Sequence, residues 1–315
     1  MNPPTKRTAV IALGGNALSQ SGERATAANQ FRHTRESLAS IVDLALEGWN
    51  LCIVHGNGPQ VGDALLRNEI AGGEVEPLPL GLLVAATAGW IGYMIQQSLG
   101  NALRRAGSDR DVVSIITQVE VARNDPALEN PTKPIGHDLT EERARKLEGA
   151  GETVREAEGH WRRVVGSPRP LAVHELAVIR ALVQRGTIVV ACGGGGVPAY
   201  RDETLGLEGV DAVVDKDLAA AALARGLEAD LFMILTNVES VYSDFGTDRQ
   251  QALAKLTVAD AERLDKAGAF GEGSMAPKVR AAVDYVRRTR GRAIITELAR
   301  GREAVRGEAG TTILP

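Results

Sequence analysis

The sequence contains no Gly-Lys dipeptide. That excludes the Walker-type phosphate loop, in which a lysine follows a glycine to reach the β- and γ-phosphates. There are only two cysteines, Cys52 and Cys192, and neither belongs to a Cys-x-x-Cys pair. Both read as small buried side chains in a reducing compartment, not as a disulfide framework or a zinc site. The five histidines, His33, His55, His137, His160 and His174, lack zinc-ligand spacing. Long apolar runs are also missing. The most apolar helical stretch, residues 80–99, is interrupted by Thr87, Gly89, Gly92, Gln96 and Gln97, which suits a buried or interface helix better than a membrane span. A net charge of −4 and a pI near 5.8 leave no broad basic footprint for nucleic acid. The opening residues 1–8 are too polar for a leader peptide, so a soluble cytoplasmic protein is expected. Lysine is scarce as well, seven against twenty-nine arginines. Against that background Lys133, Lys216 and Lys278 stand out by their local sequence, whereas Lys146 and Lys266 read as solvated helix positions.

What the chain does have is glycine, thirty-five of them, placed at the ends of apolar runs. Thr187-Ile-Val-Val-Ala-Cys192 stops at four consecutive glycines, Gly193 to Gly196. Val10-Ile-Ala-Leu13 runs into Gly14-Gly15-Asn16, and Leu51-Cys-Ile-Val-His55 into Gly56-Asn57-Gly58-Pro59. β-Branched runs of this kind predict buried strands of a parallel sheet. Glycine at the strand ends lets a ligand approach the backbone, whose N–H groups can hold an anion. A single such loop can equally be a tight turn. Three of matching design favour an anion site.

Taken in order, the pattern predicts strands at residues 8–13, 50–55, 111–119, 187–192, 231–235 and 292–296. Helices are predicted at 28–46, 60–70, 80–106, 140–146, 173–184, 218–224, 258–266 and 279–288. Alternation of this kind implies a mostly parallel sheet covered on both faces. At 315 residues the chain can bury a large core as one domain. Residues 124–170 break the alternation with Asn130-Pro-Thr-Lys-Pro-Ile-Gly136 and Trp161-Arg-Arg-Val-Val-Gly-Ser-Pro168, and are expected to form an ordered inserted flap. Gly56-x-Gly58-x-x-x-Gly62 only approximates a dinucleotide fingerprint, which leaves a dehydrogenase as a weak alternative. Asp244-Phe245-Gly246 copies a protein-kinase tripeptide with no His-Arg-Asp loop to accompany it and reads as coincidence. The remaining reading is phosphoryl transfer, which needs positioning and positive charge more than covalent chemistry. Lys216, between Asp215 and Asp217 at a helix head, and Lys278, expected to open a helix after Pro277, supply that charge.

The segments Ile11-Ala-Leu-Gly-Gly-Asn-Ala-Leu18, His55-Gly-Asn-Gly-Pro-Gln-Val-Gly62, Thr132-Lys-Pro-Ile-Gly136, Ala191-Cys-Gly-Gly-Gly-Gly-Val-Pro198, Ala212-Val-Val-Asp-Lys-Asp-Leu218 and Gly273-Ser-Met-Ala-Pro-Lys-Val279 together resemble the carbamate kinases, a branch of the amino-acid kinase superfamily. The resemblance spans nearly the whole chain. It implies a three-layer α/β/α sandwich, a homodimer, and ATP or ADP carried with Mg²⁺ and no metal held by the protein itself. The implied reaction joins ATP and carbamate to give ADP and carbamoyl phosphate, or runs in reverse. Under it, Gly14, Gly15, Asn16, Gly56 and Asn57, with Gly193 and Gly194, hold carbamate and the moving phosphoryl group. Lys216 and Lys278 neutralise that group, Asp217 orients them, and Lys133 reaches in from the flap. Asp215, Thr236, Asn237, Tyr242 and Met275 line the nucleotide pocket. The alternatives are another small-acid or phosphate kinase of the superfamily, or a non-catalytic nucleotide-binding regulator.

Overall fold

A computed structural model describes residues 7–14, 18, 23–157, 159–271, 275–289 and 291–315. Its centre is an eight-stranded sheet. Across the sheet the order is Lys255–Thr257, Thr311–Leu314, Arg292–Glu297, Leu231–Thr236, Thr8–Leu13, Asn50–His55, Ile188–Val190 and Val112–Ser114. Every neighbouring pair is parallel except Arg292–Glu297 with Thr311–Leu314. The central strands have side chains of period two but are apolar on both faces. Val10 and Ala12, Cys52 and Val54, and Phe232 and Ile234 enter one core, under the helices Leu176–Gln184, Lys216–Gly226, Val258–Lys266 and Met275–Arg288. Ala9, Ile11 and Leu13, Leu51 and Ile53, and Leu231 and Met233 enter a second core, under Ala27–Glu36, Ala39–Leu46, Leu80–Arg105 and Gly301–Arg306. The result is a three-layer α/β/α sandwich. Full burial of an aliphatic side chain is worth about 1.5–3 kcal/mol, so the two apolar faces account for why this sheet sits at the centre.

Several boundaries differ from the sequence pattern. The single helix expected at 28–46 is two, because the first ends at Glu36, with Ser37 as its C-cap, and the second starts at Ala39. The expected strand at 111–119 is split. Val112–Ser114 stays in the main sheet, while Gln118–Val121 joins a four-stranded sheet with Gly206–Gly209, Val197–Asp202 and Pro170–Val173. Pro170–Val173, expected to lead into a helix, is therefore a strand, and that helix starts at Leu176. Residues 311–314, where the pattern predicts no strand, form Thr311–Leu314, second from the edge of the main sheet.

Residues 133–165 form a small unit of their own. Lys133–Leu139, His160–Val165 and Val154–Ala157 make an antiparallel sheet with the Glu141–Gly149 helix beside it. Ala144, Leu147 and Val154, flanked by Leu139 and Trp161, are its core. Thr140 caps the helix by accepting from the N–H of Arg143. The unit sits on the Gly58–Ala71 helix, where Arg143 and Arg163 both pair with Glu69, and His137 lies 3.0 Å from Asp63. Among the described residues no helix is long and apolar enough to cross a membrane.

Candidate active site

Parallel register brings the strand ends to one edge. Leu13 stands level with His55 on one side and Leu235 on the other, and Ile53 stands level with Val190. Gly14, Gly56 and the Gly193–Gly196 loop consequently open at the same side of the sheet. The four glycines are explained by packing rather than by an open approach for a ligand. A Cβ on Gly193 would lie 2.6 Å from His55 Nε2, one on Gly194 2.3 Å from Asn57 Nδ2, and one on Gly195 2.1 Å from the Val214 carbonyl oxygen. Gly194 and Gly195 also have φ of +67° and +94°. The loop thus lets residues 213–215 come against the strand ends, and with them the head of the Lys216–Gly226 helix.

That helix head is the centre of the site. Asp215 is its N-cap, its Oδ1 accepting from the N–H groups of Asp217 at 2.9 Å and Leu218 at 3.3 Å. Asp217, in the first turn, is buried, and Lys216 Nζ lies 2.5 Å from its Oδ1. Lys278 Nζ lies 3.6 Å from Asp217 Oδ2. Lys278 does not open its helix: Met275–Arg288 starts three residues earlier, so Pro277 falls in the first turn, where its missing N–H leaves no bond unmade. Burial lowers the Lys278 ammonium below its ordinary range, with Asp217 opposing and Lys216 adding to the drop. Lys133 pairs with Asp215 Oδ2. Burial would raise the Asp215 carboxyl, but Lys133 and Lys216 outweigh it and bring it down to about 2. Two carboxylates thus hold three ammonium groups around a cleft of about 200 Å³, which Gly56, Asn57, Gly194 and Pro277 also line.

A second pocket of about 190 Å³ adjoins it, lined by Thr236, Asn237, Val238, Tyr242, Phe245, Phe270, Met275 and Lys278 among others. Lys278 lines both cavities. The structure thus brings Thr236, Asn237, Tyr242 and Met275 together as expected. It puts Asp215 elsewhere, in the lysine cleft, because capping a helix and pairing with Lys133 fix its carboxylate there. Asn57 lines the lysine cleft, but its amide nitrogen donates to Thr87 Oγ1 at 2.9 Å. Gly14 is buried, its N–H donating to the Leu235 carbonyl. Gly15 and Asn16, with Gly273 and Ser274, lie outside the described residues. Phe245 is the pocket residue the sequence reading set aside; its ring centroid is 5.9 Å from that of Tyr242. The available signal was an aromatic beside Tyr242 in a chain only 3% aromatic. Burial pushes the Cys52 thiol up to about 12 and the Cys192 thiol well above its ordinary value, so neither is a nucleophile at neutral pH. Burial also holds the His55 imidazole down to about 4, leaving it neutral.

An edge of glycine-bounded parallel strands facing lysines clamped by one aspartate defines a phosphotransferase site. The chain belongs to the amino acid kinase family, whose model matches residues 7–297. Within that family it stands with the carbamate kinases. The carbamate kinase of Pyrococcus furiosus is 44% identical over 97% of this chain and 98% of its own length. That of Thermococcus kodakarensis is 46% identical over the same shares. The solved carbamate kinase from Giardia lamblia bound to AMP-PNP has a TM-score of 0.91 at 38% identity, covering 98% of both chains.

Proposed function

We propose that this chain is a carbamate kinase that moves a phosphoryl group reversibly between ATP and carbamate, giving ADP and carbamoyl phosphate. The observation that carries this is Lys278, which lines both cavities and lies, with Lys216, against Asp217. The apolar pocket under Tyr242, Phe245 and Met275 takes the nucleotide base, and its phosphates run toward Lys278. Carbamate enters the cleft beside Gly56 and Asn57. One of its oxygens forms the new bond to the γ-phosphorus as the bond to the ADP oxygen breaks. Lys216 and Lys278 stabilise the charge spread over the phosphoryl oxygens. Carbamate is already an anionic nucleophile, so no general base is required, in keeping with a neutral, enclosed His55.

Mg²⁺ would arrive on the nucleotide's phosphates and neutralise part of their charge. The donor set fits that role better than a resident metal. Asp215 and Asp217 are each paired with lysine, and among the described residues no three His, Cys, Asp or Glu side chains converge to hold an ion. The 133–165 unit acts as a flap over the cleft, excluding water from two compounds that break down in it. The chain assembles as a homodimer through the outer face of the Leu80–Arg105 helix, where Leu82, Ala86 and Tyr93 are exposed at helical spacing.

The deciding experiment supplies purified protein with ADP and carbamoyl phosphate and follows ATP. Parallel assays give ATP with amino-acid carboxylates or with phosphomonoesters. Rapid ATP formation with only the first pair is expected. Turnover confined to either of the other panels would replace this reading with another small-acid or phosphate kinase, and binding without turnover would replace it with a regulator.

A further inference from the structure

The two carboxylate oxygens of Asp215 face different parts of the molecule. Oδ1 caps the helix that begins at Lys216. Oδ2 is paired with Lys133, eighty-two residues away in sequence and the first residue of the Lys133–Leu139 strand. Lys133 stands opposite Val165 in the flap sheet, and Pro134 opposite Val164, so its backbone is fixed to the flap while its ammonium is fixed to the body. The next residues are held as well, since Arg162 donates to the Gly136 carbonyl at 2.8 Å.

Building on the carbamate kinase reading, we propose that Asp215 is a positioning residue. It holds the Lys133 ammonium inside the cleft before substrate arrives, and so couples the seating of the flap to the helix head that carries Lys216 and Asp217. A lysine on a four-carbon stem loses considerable freedom when it is recruited to a ligand. Here that ordering precedes binding, which leaves more of the interaction with an incoming phosphoryl oxygen available for affinity. An ammonium has three N–H donors, so Lys133 can keep Asp215 with one and offer others to the substrate. The carboxylate thus ties the flap strand to the helix head, two residues from the Val213 N–H that donates to the Gly166 carbonyl at 3.0 Å. Loss of its charge at constant shape should therefore reach the flap and leave the helix cap in place.

Asp215→Asn is the informative variant, because the amide keeps an acceptor for the cap and removes the charge that holds Lys133. Hydrogen–deuterium exchange on the ligand-free protein tests the clamp without any reaction. Exchange should become faster over 133–139 and 160–165 and stay unchanged over 216–226; unchanged exchange in the flap overturns the proposal. Asp215→Ala, which loses cap and charge together, should quicken both segments. In kinetics, Asp215→Asn should lower kcat/KM for carbamoyl phosphate about tenfold, the scale of one charge-assisted bond, while KM for ADP stays within about twofold. In a Lys133→Ala background the same substitution should have no further effect. An equal fall there would mean that Asp215 does not act through Lys133 and would overturn the proposal. If the wild-type protein makes no ATP from ADP and carbamoyl phosphate, the functional reading fails, and the exchange experiment still decides the clamp.

Discussion

Gly62 and Gly136 touch backbone to backbone: a methyl group on Gly62 would sit 2.0 Å from the Cα of Gly136. This is where the flap rests on the Gly58–Ala71 helix, and Gly136 itself has φ +73°. Two opposing effects decide what Gly62→Ala does. Alanine improves helix propensity by roughly 1 kcal/mol, but overpacking against immovable backbone costs about 1–3 kcal/mol. The clash wins. Gly62→Ala should lower the unfolding midpoint and reduce kcat/KM for carbamoyl phosphate. Gly100→Ala, whose Cβ meets nothing nearer than the end of the Arg104 side chain at 3.7 Å, should raise the midpoint instead. Thermal denaturation of the two variants checks the contrast, and a stabilised Gly62→Ala would refute it.

Lys216→Ala and Lys278→Ala should each lower kcat by roughly a hundredfold or more, as for loss of a principal electrostatic stabiliser. Removing either ammonium takes one of the two lysines from buried Asp217, so both variants should also lose some stability, measurable by urea denaturation. Near-normal turnover in either variant would take that lysine out of the transfer step.

Phe245→Ala should raise KM for ADP severalfold, as expected for loss of an aromatic contact worth about 0.5–1.5 kcal/mol, and leave KM for carbamoyl phosphate unchanged. Steady-state kinetics with each substrate varied in turn would reveal it. An equal change in both constants would mean that the ring supports the whole cleft and not the nucleotide pocket.

His55 gives a pH dependence whose sign can be fixed. Unfolded, its imidazole takes a proton near its ordinary value of 6.5; folded, burial holds it to about 4. As pH falls from about 6.5 to about 4, the unfolded chain binds a proton that the native one does not. Stability therefore drops, by roughly 3 kcal/mol in all, and the loss levels off below pH 4. Asp215, held at about 2, acts in a lower window: its contribution is present above its ordinary 3.8 and is lost as pH falls through 2. Urea midpoints between pH 7 and 4.5 should slope downward for the wild type and be flatter for His55→Gln. Parallel slopes would assign the effect to other groups.

Leu82, Ala86 and Tyr93 lie on the exposed face of the Leu80–Arg105 helix, whereas Gly92 packs inward on Ser114. Light scattering should give a dimer at micromolar concentration, and Leu82→Arg should weaken it. A wild-type monomer would rule the dimer out.

The central strands were legible because Val10-Ile11 and Ile53-Val54 fill both faces of a parallel sheet, a pattern few other structures produce. The lysine set was legible for a different reason, the rarity of lysine against arginine. What the pattern hid depended on distant partners. Nothing local to residues 111–119 says that the chain leaves one sheet after Ser114 and enters another at Gln118. Thr311-Thr-Ile-Leu314 is too short to read as a strand until Arg292–Glu297 and Lys255–Thr257 are seen on either side of it. The four glycines were visible, but their reason was not, since the atoms that demand them belong to His55, Asn57, Val214 and Val119. Asp215 was assigned by motif to the nucleotide pocket, and the contact that moves it, with Lys133, spans two separate units of the fold.

The strand Thr311–Leu314 separates Lys255–Thr257 from Arg292–Glu297, yet follows both in sequence. During synthesis those two segments have no common partner until it emerges. The Thr311 hydroxyl also accepts the N–H of Val241 at 2.8 Å, next to Tyr242 in the second pocket. The cleft holding Lys133 and Lys216 is lined by residues no later than Lys278, so its segments are all made before that strand, whereas the contact that braces the chain beside Tyr242 waits for it.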